Sequence, residues 1–235
     1  MTRESFERRQ CQPEWMDEPD ADPVLLDKSL AFIRRVNRWL GYTRATLTHL
    51  ERFAVRWEPG RTIRILDVAT GSADIPRAML AWARRAGHDV EVTAVDLHEK
   101  TLDAARAGSP DPRLILRSAD ALALPFDDAS FDYVHTAMFL HHLPDEQVVT
   151  AMRNMHRVAS RGVIVADLVR CRRAYGWIKL FTMTSNPMVR HDARVSVLQA
   201  FTRDEIVQLR DRAEMQYADY VPHFGHRFVL AGEKP

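Results

Sequence analysis

Cysteine is scarce in this chain. Cys11 and Cys171 stand far apart with no CxxC pair, which argues against a disulfide framework and a zinc pattern and fits a reducing cytoplasm. Neither sign of charge dominates: 33 Lys and Arg face 32 Asp and Glu, a formal net charge of +1, so the overall balance does not ask for a nucleic-acid partner. No apolar run reaches the roughly 18 residues of a spanning helix. Residues 1–11 are charged and lack an apolar stretch, so neither membrane insertion nor export is expected, and the reading is of a soluble, cytoplasmic protein. Glycine is thin as well, nine in 235 residues, and the one turn that reads as a nucleotide loop holds a single glycine where a full fingerprint has three. What the chain does have is apolar content, 46%, enough for the core of one α/β domain.

The thin loop is nevertheless the most informative stretch. Ile63, Ile65, Leu66 and Val68 form a β-branched, apolar run of strand length, and residues 69–73 then carry no side chain larger than threonine. A helical pattern follows over 75–85, whose first free N–H groups would favour a polar or anionic ligand edge. Ala69 and Ala73 stand at the outer glycine positions around Gly71, and their methyl groups are tolerated if φ stays negative. After Gly87 a second strand over 90–96 ends on Asp96, where an acid can accept both ribose hydroxyls of an adenosine; the alternative is that Asp96 caps the helix starting near Glu99. A third strand runs into Ala119-Asp120-Ala121, and the segment LPFDDASFDYV leads to a fourth over 132–136.

These motifs, in this order over about residues 60 to 170, resemble the class I S-adenosylmethionine-dependent methyltransferases, in the style of the ubiquinone/menaquinone C-methyltransferases and the small-molecule group around them. The resemblance implies a Rossmann-like three-layer αβα fold. It would have a mostly parallel seven-stranded sheet with an antiparallel last strand, an N-terminal helical extension over 1–58, and a methyltransferase domain over 59–235 with an acceptor-pocket insertion at about 169–200. It also implies S-adenosyl-L-methionine as cofactor and S-adenosyl-L-homocysteine as product. Asp67, Ala69, Thr70, Gly71 and Asp74 would take the methionine part, Asp96 the ribose and Asp120 the adenine amino group. Leu97, Ala119 and Ala121 would lie beside these, with Thr136 and Ala137 again near the methionine part. The four residues Thr136-Ala137-Met138-Phe139 stand where DNA and protein-amide methyltransferases carry Asn/Asp-Pro-Pro-aromatic, which disfavours those classes.

The rest of the chain is placed by pattern. Residues 1–22 are polar and are expected to hold little regular structure. Asp22-Pro23 opens a helix whose apolar spacing (Leu25, Leu26, Ser29, Leu30, Ile33, Val36, Asn37, Leu40) runs to Gly41. A second helix is expected over 43–55, with Tyr42 and Arg44 facing inward and Arg34, Arg35 and Arg38 on a solvated face. His141 can take a proton from a hydroxyl, while His142 can pack or cap the helix over 145–158. A turn over 159–162 leads to a fifth strand over 162–168. The bulky stripe from Tyr175 to Met188 reads equally as an acceptor wall or as helix core. His191 and Asp192 can activate an acceptor hydroxyl, or Asp192 can cap a helix over 193–201. Thr202 and Glu205 make a capping box, and a final hairpin carries His223 and His226 as surface residues.

The function expected is methyl transfer to a small hydrophobic or aromatic acceptor, as O-methylation of a phenol or other secondary-metabolite hydroxyl. No metal is needed for that reaction, and no ligand-spaced His/Cys/Asp cluster is visible. C-methylation of a quinone precursor or similar ring is the alternative. From other classes, a NAD-dependent oxidoreductase or an inactive cofactor-binding protein remain open.

Overall fold

The computed structural model describes residues 6–10, 12–18, 20–39, 41–108 and 110–235; Cys11 and Leu40 lie outside the described residues, as do residues 1–5. Asp22 Oδ1 accepts from the backbone N–H groups of Val24 and Leu25, both at 2.9 Å, which fixes the start of α1 (Pro23–Trp39) as the cap-then-proline pattern predicts. Gly41, at φ 96, turns the chain into α2 (Tyr42–Ala54). Its buried face runs Tyr42, Ala45, Thr46, His49, Leu50, Phe53, a helical period that leaves Arg44 exposed, so the expectation that Arg44 faces inward is corrected.

The core is a seven-stranded sheet in the order β3-β2-β1-β4-β5-β7-β6. The strands are β1 (Ile63–Val68), β2 (Val90–Asp96), β3 (Leu114–Ser118), β4 (Phe131–Ala137), β5 (Ala159–Leu168), β6 (Asp219–His223) and β7 (Arg227–Glu233). The first five pair in parallel, and β7 inserts antiparallel between β5 and β6. The near-continuous burial of β1, β2 and β4 follows from helices covering both faces. The helices α3 (Asp74–Ala86), α4 (Glu99–Arg106), α5 (Asp145–Val158), α6 (Arg172–Phe181), α7 (Pro187–Gln199) and α8 (Arg203–Arg212) complete the three-layer, Rossmann-like arrangement that the motifs imply.

Alternation along β7 shows how the layers divide. Phe228 and Leu230 enter one core with Met152, Met155, Phe201 and Ile206, whereas Val229 and Ala231 enter the other with Tyr42, Leu50, Phe53, Met79 and Tyr133. The capping box at Thr202 and Glu205 is present in full. Three boundaries differ from expectation. Ala159 leaves α5 already extended, at φ −80 and ψ 130, and pairs with Phe131, so residues 159–162 are strand and not a turn. Asn186 Oδ1 caps the N–H of Val189 with Pro187 behind it, so α7 starts well before residue 193 and Asp192 lies inside it, capping nothing of its own helix. Residues 15–17 form a 3-10 turn tied to the domain, against the expectation of little structure there. No described helix is long and apolar enough to cross a membrane.

Candidate functional site

A cavity of about 1190 Å3 opens at the carboxyl edge of the parallel strands, where open α/β sheets bind ligands. The volume exceeds the roughly 300–1,000 Å3 of a single drug-sized ligand and has room for two molecules.

One end is built by three short loops. After β1, Ala69 (φ 56), Gly71 (φ 58) and Ala73 (φ 54) are all left-handed, so the expectation of negative φ at the alanines is overturned: the turn keeps its glycine geometry with alanine in it. A Cβ at Gly71 would meet no protein atom within 4 Å, so the backbone there faces open cavity. Gly71 N–H donates to Asp96 Oδ2 at 2.9 Å and His98 N–H donates to Asp96 Oδ1 at 3.0 Å. Asp96 therefore bridges the first two loops and does not cap α4, whose start at His98 has no side-chain cap. Burial drives the Asp96 carboxyl above its ordinary value, with the two N–H groups opposing. Asp120 Oδ1 accepts from Leu122 N–H at 2.8 Å in the third loop. Asp74, raised by burial, accepts from Asn37 Nδ2 at 3.1 Å and from Ser72 Oγ at 3.3 Å.

Asp67, Ala69, Thr70, Gly71, Asp74, Asp96, Leu97, Ala119, Asp120, Ala121 and Ala137 line this end together. Thr136 does not: its hydroxyl donates to Val68 C=O at 2.8 Å, because alternation along β4 turns it away. Its neighbour His135 lines the cavity instead, and sequence reasoning missed it. His135 Nδ1 is bonded to Asp67 Oδ1; the carboxylate can only accept, so Nδ1 carries the proton and Nε2 takes the Thr46 hydroxyl at 3.0 Å. Ser29 and Asn37 were also missed as site residues, although two polar residues on an otherwise apolar helical face were the signal; both line the cavity. Ser29 Oγ, Asn37 Oδ1 and Thr70 Oγ1 are buried without a partner among the described residues. Loops with bare backbone, acids at two strand ends and unspent polar atoms fit a nucleoside bearing an amino-acid tail.

The other end gathers residues distant in sequence. His141, 1% exposed, follows β4 in a 3-10 turn. Its Nδ1 bonds Asp167 Oδ1 at 2.6 Å, its backbone N–H reaches Asp167 Oδ2 at 3.2 Å, and its Nε2 has no hydrogen-bond partner among the described residues. Burial would raise the Asp167 carboxyl, but His141 and further bonds hold it below the ordinary range, so it stays an acceptor. Glu14 Oε1 lies 3.8 Å from His141 Nε2 and accepts from Ser196 Oγ at 2.5 Å; burial pushes Glu14 up. His142 Nδ1 meets Asp17 Oδ2 at 2.8 Å. Burial opposes its charge, yet Glu14 and Asp17 push the imidazole up to about 9. Glu14, His141 and His142 thus bring ligand-type atoms within 4.8 Å of one another, a juxtaposition no spacing along the chain discloses.

Glu14, Met16 and Asp17 supply this wall. Arg9 bonds the carbonyls of His141, Leu143 and Gln199 at 3.1, 2.8 and 2.7 Å, and Trp15 and Met16 donate their N–H groups to the two oxygens of Asp192 at 2.9 and 3.1 Å. Asp192 is a clasp for that segment. His191, bonded to Asp192 at 2.9 Å, stacks on Trp15 with ring centroids 4.2 Å apart and is not among the residues that line the cavity, whereas Asp192 is; the structure brings only the carboxylate of that expected pair to the site. His223 and His226, expected on the surface, line the cavity with Tyr42 and Arg227; His223 Nε2 lies 3.2 Å from His49 Nε2. From the 169–200 segment, Ala174, Trp177, Ile178, Phe181, Val189 and Val197 supply apolar wall.

Residues 65–162 match the methyltransferase domain family. Over those residues, less than half of its length, the chain is similar to a methyltransferase domain. Over 106 residues it is 36% identical to the demethylmenaquinone methyltransferase of Staphylococcus epidermidis, a match covering 45% of this chain and 42% of that protein. Over 86 residues it is 38% identical to the 27-O-demethylrifamycin SV methyltransferase of Amycolatopsis mediterranei, covering 35% of this chain and 30% of that one. The matched part thus spans less than half the length of either relative. In fold, the methyltransferase domain is similar to a SAM-dependent methyltransferase from Aquifex aeolicus with a TM-score of 0.61 at 15% identity, covering 90% of this chain and 98% of that one. The loop end of the cavity lies within the segment that matches this domain family.

Proposed function

We propose that the chain methylates a hydroxyl of a small hydrophobic or aromatic acceptor, with His141 taking the proton. The observation that carries this reading is the unpartnered Nε2 of His141 beside the cavity, on a ring whose other nitrogen is bonded to Asp167 at 2.6 Å. When bound, S-adenosylmethionine supplies an electrophilic methyl group on a sulfonium. Asp67, Ala69, Thr70, Gly71, Asp74, Asp96, Leu97, Asp120 and Ala137 would hold it, with Ala119 and Ala121 beside the adenine. The chain's remaining work is to align the acceptor, exclude water and remove one proton.

Asp167, as acceptor, fixes the Nδ1–H tautomer, which leaves the Nε2 lone pair for the acceptor's hydroxyl proton; the same carboxylate then steadies the imidazolium. Residues 14–17, clasped by Asp192, and α6 exclude water from the acceptor. His191 and Asp192 support that wall and take no part in proton transfer. The apolar side chains of α1, α6 and α7 select for a hydrophobic body.

C-methylation of a quinone precursor or similar ring is the second reading, favoured by the demethylmenaquinone methyltransferase relatives. Transfer of labelled methyl from the cofactor into a panel of phenols and hydroquinones tests both. Label released by ether cleavage supports the hydroxyl reading, label retained on ring carbon supports the second, and no transfer to any acceptor favours a silent binding protein.

A further inference from the structure

The cavity is lined by a buried cation that has no carboxylate within ion-pair distance among the described residues. Arg227 opens β7, in register with Leu168 at the end of β5, the residue after Asp167. It is 2% exposed and lines the cavity. Its Nε–H and both Nη1 hydrogens have no hydrogen-bond partner among the described residues, and Nη2 reaches only Gly225 C=O at 3.4 Å. The guanidinium lies over the Tyr42 ring, 4.1 Å from its centroid, and the buried Tyr42 hydroxyl is also without a partner. Burial lowers the Arg227 pKa, with the Tyr42 phenol opposing. The neighbouring imidazoles do not help: burial and His223 push His49 down to about 4, and His223 is held low by burial and by Arg227 itself.

A desolvated guanidinium with unspent N–H groups is costly to bury and is kept where a planar anion completes it. Above the Tyr42 ring the guanidinium keeps its Nε–H and Nη1–H groups unspent, and a guanidinium can meet a carboxylate with two parallel bonds. We propose that Arg227 and Tyr42 form a carboxylate-binding subsite, so that the acceptor is a hydrophobic or aromatic hydroxy acid whose carboxylate docks there. This rests on the cavity being the acceptor site of a methyltransferase. A neutral phenol or quinone would leave the guanidinium unpaired.

Calorimetry on the full chain saturated with S-adenosylhomocysteine tests this, using benzoate, 2-naphthoate and decanoate against their neutral carboxamides. In the wild type the carboxylates should bind roughly tenfold or more tighter than the amides. The preference should fall to within about twofold in Arg227→Met, survive in part in Arg227→Lys, and shrink by about threefold in Tyr42→Phe. S-adenosylhomocysteine affinity, measured on each variant first, should stay unchanged and reports on folding. Equal binding of acid and amide by the wild type, no carboxylate binding at millimolar concentration, or a preference that persists in Arg227→Met overturns the subsite. The wild-type comparison decides the matter even if Arg227→Met does not fold. Failure of the wild type to bind S-adenosylhomocysteine would instead remove the methyltransferase reading beneath it.

Discussion

Two histidine–aspartate pairs sit at the carboxyl edge of the sheet, each with its histidine lining the cavity, and they differ in what the second ring nitrogen does. His135, bonded to Asp67, spends Nε2 on Thr46 at 3.0 Å, so the pair is closed. His141, bonded to Asp167, leaves Nε2 unspent. The same chemistry therefore serves two purposes. At the loop end it spends both ring nitrogens and fixes the position of Asp67 beneath the first loop. At the acceptor end it leaves a lone pair available. The unpartnered atoms divide likewise: a hydroxyl pair and an amide oxygen at the first end, a base, a phenol and a guanidinium at the second.

His141→Ala should break the contrast most strongly, lowering turnover by roughly 10²–10⁴-fold while S-adenosylhomocysteine affinity stays within about twofold. Asp167→Asn should follow it, because an amide can stabilise the other tautomer. Steady-state rates set beside calorimetry separate the two effects, and a loss confined to cofactor binding would remove His141 as the base. His135→Ala should act the other way, costing about 2–4 kcal/mol of stability by leaving Asp67 buried without its partner, read by denaturant unfolding. A His135 variant of unchanged stability would mean the closed pair holds nothing. Asp96→Ala should weaken S-adenosylhomocysteine by about 1.5–3 kcal/mol with little change in turnover at saturating cofactor.

The cofactor end was legible in the sequence because its parts are contiguous. Residues 67–74, 96–97 and 119–121 are loops between predictable strands, and eleven of the twelve expected cofactor residues line the cavity, Thr136 excepted by the pleat. The acceptor end was not, because it is assembled from Glu14, Tyr42, His141, Asp167 and Arg227, which no local pattern connects. Asp167 read only as the polar end of a strand, and Arg227 as the start of another. Glu14 sat in a stretch with no periodicity, where order comes from long-range bonds to Asp192, Gln199 and Ser196. His191 and Asp192 had the right residue types, but α7 faces that carboxylate toward the N-terminal segment.

The wall formed by that segment should be sensitive to alkali. The His142 value of about 9 lies above its ordinary 6.5, so the stabilisation from its pairing with Asp17 and Glu14 is fully present below pH 6.5 and is lost as pH rises through 9. Between pH 7 and 10 the wild type should lose on the order of 1–2 kcal/mol, a melting-temperature fall of several degrees, and His142→Gln should be less stable at pH 7 but flat over that interval. An unaltered slope in His142→Gln would assign the effect to other groups. S-adenosylhomocysteine affinity of the folded protein should change less over the same range.

The smallest effect concerns the alanines that replace glycine in the first loop. Ala69 and Ala73 have nearly the same left-handed φ, so each carries strain of about 1–2 kcal/mol, and glycine would relieve it at an unfolded-state cost of roughly 0.4–1 kcal/mol. The two differ in surroundings. The Ala73 methyl is fully buried, and removing it forfeits a further 0.8 kcal/mol or so, whereas Ala69 is only half-buried at the cavity wall. Ala69→Gly should therefore raise the melting temperature by about 1–3 °C, and Ala73→Gly should leave it nearly unchanged or slightly lower. If Ala69→Gly is destabilising, the loop is not strained and the alanines are simply accommodated. If both variants stabilise alike, burial of the Ala73 methyl contributes nothing, and the missing glycines are a matter of backbone strain alone.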